Sequence, residues 1–110
     1  MSQHEHKEIM KKFHYVRNDS TVEHEEIDLS DRSLDEMKRV FLELNLGNEQ
    51  RFNLLWAFDR FGIKAKLKSF IEDLDSLWYP ARDDVVFVRE DDAILVVLDH
   101  EEKIEIWSMI

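Results

Sequence analysis

The strongest constraint on the fold of this 110-residue chain lies in its last third, where Val85-Val86-Phe87-Val88 and Ala93-Ile94-Leu95-Val96-Val97-Leu98 are apolar at every position. Successive side chains of a strand point to opposite faces, so such runs form strands that are apolar on both sides and need cover on both. Lys103-Ile104-Glu105-Ile106-Trp107 follows with alternating character. The three runs are rich in β-branched residues and are separated by Glu90-Asp91-Asp92 and Asp99-His100-Glu101-Glu102, a pattern that predicts a three-stranded antiparallel meander. Neither turn contains glycine, so any left-handed backbone there falls on Asp, Glu or His, of which Asp tolerates it best. Helices should cover one face of the sheet. The other face is left to an N-terminal arm, a second subunit or a partner.

The helices are expected from the middle of the chain. A first helix opens at Ser30 or Ser33: Ser33-Leu34-Asp35-Glu36 has capping-box spacing, with the hydroxyl accepting from the Glu36 amide. Leu34, Met37, Phe41 and Leu44 then form an apolar stripe, with Val40 beside it, until Asn45-Leu46-Gly47 ends the run. Asn48 can cap a second helix carrying Phe52, Leu55, Trp56 and, more loosely, Phe58 and Phe61, with Gly62 as its left-handed end. Ile63, Leu67, Phe70, Ile71, Leu74, Leu77 and Trp78 recur at helical spacing as far as Pro80, predicting a third helix. Its charges oppose the helix dipole, with Lys64, Lys66 and Lys68 first and Glu72, Asp73 and Asp75 last. Ile63 to Lys68 also alternates as a strand would, but that reading leaves the later helical period unexplained.

Residues 13–29 alternate weakly and read as one or two short strands or an extended arm, and residues 1–12 as a flexible polar tail. The expected architecture is therefore a single α+β domain over residues 13–110. Three helices pack on a C-terminal three-stranded antiparallel meander, which an N-terminal strand can extend.

Composition removes several functions. No cysteine occurs, so there is no disulfide, thiol nucleophile or cysteine-ligated metal. The two glycines cannot write a phosphate-binding loop. The formal net charge of −10 opposes direct binding of nucleic acid or of an anionic membrane. No signal-like or membrane-spanning apolar run is present, and the expected location is cytoplasmic. No cofactor is expected. The five histidines fit no H-E-x-x-H or related ligand spacing, no G-x-S-x-G surrounds a serine, and no catalytic residue is assigned.

Most of the negative charge is C-terminal. Residues 72–110 hold 12 acids and 3 bases (net −9), whereas residues 1–71 hold 13 and 12 (net −1). In an antiparallel meander, the segment before the first strand and the turn after the second lie at the same end. Asp83, Asp84, Asp99, His100, Glu101 and Glu102 should therefore cluster. Such a surface can steer a basic partner, raising association rates ~10- to 10³-fold at low salt. The plainer reading is a set of solvated turns that keep a hydrophobic sheet soluble. Trp56 and Trp78 read as core. Trp107 shares a strand face with Lys103 and Glu105 and so points to solvent, arm or partner, where it would serve as an anchor. Lys64, Lys66 and Lys68 read as a solvated face.

The function expected from these features is that of a non-catalytic acidic protein-binding module. A nuclease is basic where it holds phosphates, and an acidic surface can block it without chemistry of its own, as an immunity-type or antitoxin-type inhibitor would. The contact residues would be Asp83, Asp84, Asp99, His100, Glu101, Glu102 and Trp107. The alternatives are a homo-oligomeric structural subunit, such as a homo-dimer paired through the sheet, and a small metal-dependent enzyme using His100 and neighbouring carboxylates.

Overall fold

A computed structural model describes residues 2–19, 21–57, 61–79 and 82–108. In chain order the elements are α1 (Gln3–Arg17), β1 (Glu23–Asp28), α2 (Leu34–Glu43), β2 (Arg51–Trp56), β3 (Phe61–Lys66), α3 (Leu67–Glu72), α4 (Leu74–Leu77), β4 (Val85–Arg89), β5 (Ile94–Leu98) and β6 (Lys103–Ser108). The strands form a six-stranded antiparallel sheet in the order β1-β6-β5-β4-β2-β3. The meander β4-β5-β6 is its centre. β1 extends it beyond β6, and the β2–β3 hairpin extends it beyond β4.

Both faces of the central strands are buried, by different helices. On one face Phe52, Leu54, Trp56, Val85, Phe87, Val96, Leu98, Ile104 and Ile106 pack with Met37 and Phe41 of α2, Leu67, Phe70 and Ile71 of α3, and Leu74 of α4. Phe87 meets Phe41 and Phe70 edge-on, with ring centroids 5.8 and 4.8 Å apart. On the other face Leu55, Val86, Val88, Leu95, Val97 and Trp107 are covered by Phe13 and Val16 of α1, with Ile9 and Met10 alongside. Burying each such side chain contributes ~1.5–3 kcal/mol, so α1 is an integral layer of the fold.

The first dozen residues are thus mostly helix rather than tail. Ser2 caps α1 by accepting from the Glu5 N–H at 3.1 Å, the capping arrangement that Ser33 and Glu36 repeat at α2. Ile9, Met10, Phe13 and Val16 make a single apolar stripe. Glu5 pairs with Lys64 on β3 at 3.4 Å, and Lys12 with Asp92 in the β4–β5 turn at 2.8 Å, fixing the helix across the sheet. Residues 13–29 hold the end of α1 and then β1, which pairs with β6 from Glu23 opposite Ser108 to Asp28 opposite Lys103.

The sheet has six strands because β1 extends the meander, as the sequence allows, and the expected second helix is instead the β2–β3 hairpin. Phe52, Leu54 and Trp56 face α2–α4 while Leu55 faces α1, so this run is apolar on both sides and its spacing mimics a wide helical face. Pairing to β3 and β4 on either side makes β2 a central strand. The third helix starts at Leu67, because Ile63 and Ala65 alternate as strand residues facing the larger core, and it breaks at Asp73 into α3 and α4, so the described residues form four helices rather than the expected three. The expected clash with the helix dipole is reduced with it: Lys64 and Lys66 are strand residues, Lys68 and Glu72 remain at the first and last turns of α3, and Lys66 and Lys68 approach Glu49 at 3.5 and 3.6 Å. Gly62 lies in β3 opposite Leu55 instead of ending a helix. Gly47 holds φ +97° in the connection from α2 to β2, a conformation that disfavours any side chain. Readings that used Phe58 or Pro80 fall outside the described residues.

Trp56 and Trp78 are core residues, and their indole N–H groups donate to the carbonyls of Leu77 (2.7 Å) and Asp83 (3.2 Å). Among the described residues, no helix is long and apolar enough to cross a membrane.

Candidate functional site

The meander brings the acidic segments together as its connectivity requires. At the end of the sheet where β4 starts and β5 stops, Asp84 Oδ1 accepts from the His100 N–H at 2.8 Å and lies 2.9 Å from the His100 Nδ1. Asp99 Oδ1 accepts from the N–H groups of Glu101 (2.9 Å) and Lys103 (3.0 Å), closing the turn from β5 to β6. Glu102 takes the left-handed conformation, φ 62°, where Asp was the residue expected; Asp92 (φ 58°) fills that role in the β4–β5 turn. The Glu102 carbonyl accepts from the Leu29 N–H at 2.8 Å, which joins the end of β1 to the same edge.

Asp84, Asp99, His100 and Glu101 border a cleft of about 290 Å³ under α1, facing Met10, Phe13, His14 and Arg17. Lys103 and Glu105 complete its wall. The carboxylate of Asp84 beside the ring, by hydrogen bond and then by charge, raises the His100 pKa above its ordinary 6.5. Lys103 lies 3.2 Å from Glu26 and 3.6 Å from Glu101, and its pKa is raised, first by the bond to Glu26. Glu105 sits deeper: burial raises its pKa, against the opposing charge of Arg17.

Two expected contact residues lie elsewhere. Asp83 accepts from the Tyr79 N–H at 2.8 Å and borders a separate groove with Trp78 and Tyr79. Trp107 is only 4% exposed, so it is no anchor for a partner. Its ring meets Phe13 edge-on at 6.2 Å and stacks on His24 at 4.5 Å. Its cover is α1, the segment that reads as a tail in sequence.

A second group has no counterpart in the sequence reading. β1–β6 pairing sets Glu26 opposite Glu105 and His24 opposite Trp107, and the ligand atoms of His24, Glu26 and Glu105 all lie within 4.8 Å of one another. The local signal was His24-x-Glu26, a spacing that places both side chains on one face of a strand. The third member is nearly eighty positions away. Comparison with protein-family models, curated proteins and solved structures found no match to the chain.

Proposed function

We propose that the protein is a non-catalytic acidic binding module that docks on a basic protein, in the manner of an immunity-type or antitoxin-type inhibitor of a nuclease-like target. The observation that carries this reading is the gathering of acids from three distant segments at one end of the sheet: Asp28 with the end of β1, Asp84 before β4, and Asp99, Glu101 and Glu102 after β5. Edge strand β1 continues the charge with exposed Glu23, Glu25 and Glu26. Because α1 and α2–α4 cover the two faces of the central strands, recognition rests on this charged edge, and Trp107 is withdrawn from the contact set. Asp84 and Asp99 are held by backbone N–H groups, which keeps their charge in fixed positions and lowers the ordering cost of binding.

The test is capture of partners from lysate of the source cell by the wild type and by Glu101→Lys/Glu102→Lys, at ~50 and ~300 mM salt. The reading expects a basic protein held by the wild type at low salt, weakened at high salt and lost with the variant. Equal capture by the variant, or no basic protein captured, overturns it.

A further inference from the structure

We propose that His24, Glu26 and Glu105 form a binding site for a divalent transition-metal ion on the sheet face beside the C-terminal end of α1. Three observations converge on it. The donor atoms lie within 4.8 Å of one another. Zn–N and Zn–O bonds of ~2.0–2.2 Å place tetrahedral ligands roughly 3.4 Å apart, so modest side-chain rotation closes the set around an ion. One oxygen, Glu105 Oε2, is shielded from solvent and accepts no hydrogen bond, so it is already desolvated and has no protein donor. Finally, Glu26 and Glu105 are directly opposite on paired strands, an arrangement that like charges disfavour and that a dication between them reverses.

The His24 ring is stacked on Trp107 with an interplanar angle of 17°, which restricts its rotation before any ion arrives. One imidazole and two carboxylates suit Zn²⁺ or a similar ion better than Ca²⁺, which takes six to eight oxygens. Three protein ligands leave a position for water. Two cations compete for the carboxylates: Lys103 Nζ is 3.2 Å from Glu26, and the Arg17 charge acts on Glu105. Lys103 has an alternative partner in Glu101 at 3.6 Å, so it can yield Glu26 without losing all pairing.

Zn²⁺ alone is the probe, added to the full chain and followed by titration calorimetry, with Co²⁺ absorption reporting coordination geometry. The expected result is one saturable site, weakened ~10- to 100-fold or more by Glu105→Gln and by His24→Gln. Lys103→Met should tighten it by removing a competing cation, a response that a surface-histidine artefact does not give. His4→Ala/His6→Ala should leave it unchanged. Glu105→Gln keeps the size of the side chain while removing its charge and one ligand oxygen, so it keeps the test valid even where His24→Gln disturbs the stack on Trp107. Absence of saturable binding up to ~1 mM overturns the site. So does binding that survives both ligand substitutions or that is lost with His4 and His6.

Discussion

Replacing Phe13 with Ala tests whether α1 is a structural layer. Phe13 is 5% exposed, belongs to the cluster of Leu55, Val86, Val88, Leu95, Val97 and Trp107, and meets the Trp107 ring edge-on at 6.2 Å. Truncating a buried Phe costs ~3–5 kcal/mol, of which the aromatic pair supplies ~0.5–1.5. That is a large part of the ~5–15 kcal/mol available to a domain. With a urea m-value of ~2 kcal/mol/M, the unfolding midpoint should fall by ~1.5–2.5 M, read by tryptophan fluorescence. Tyr15, two residues on and 74% exposed, provides the control: Tyr15→Ala should stay within ~0.5 kcal/mol of the wild type. A Phe13→Ala midpoint indistinguishable from that of Tyr15→Ala would refute the docking of α1 and, with it, the burial of Trp107.

Ser33→Ala removes the hydroxyl that accepts from the Glu36 N–H and should cost ~1 kcal/mol in the same assay. The raised His100 pKa means that its interaction with Asp84 stabilises the fold fully below pH 6.5, the unfolded value, and is lost as pH rises through the folded value. Asp84→Asn should bring the His100 titration, followed by NMR, back toward 6.5, whereas an unchanged titration would refute the pairing. Glu105 is also raised, so without metal its ionisation lowers stability as pH climbs above the ordinary 4.5. Glu105→Gln, unfolded in chelator, should therefore gain stability over the wild type at neutral pH, and the gain should vanish toward pH 4.

The parts of the fold that were legible are those where local signals agree. α2 has a capping box, a clean stripe and a stop in the Asn45-Leu46-Gly47 run, where Asn45 takes the left-handed conformation (φ 51°) just past the Leu44 cap, and the meander has β-branched runs between acidic turns. The acidic end follows from the meander's connectivity alone, which is why Asp84, Asp99, His100 and Glu101 meet as expected. β2 was illegible because burial on both faces erases the two-residue period. α1 carries the same Ser-x-x-Glu signal as α2, at Ser2 and Glu5, but its four core-facing residues are diluted by a long charged outer surface. Misreading α1 carried through to Trp107, whose burial depends on it. The group of His24, Glu26 and Glu105 depends on pairing the first strand with the last, a contact that no local pattern specifies.

The central claim, that the acidic end docks on a basic protein, is tested most directly by association kinetics with the captured partner. The account predicts that the wild-type on-rate falls steeply between ~50 and ~300 mM salt, as screening weakens the steering. Glu101→Lys/Glu102→Lys should associate ~10-fold or more slowly at low salt with its unfolding midpoint preserved. An on-rate that ignores both salt and the charge reversal would contradict the account.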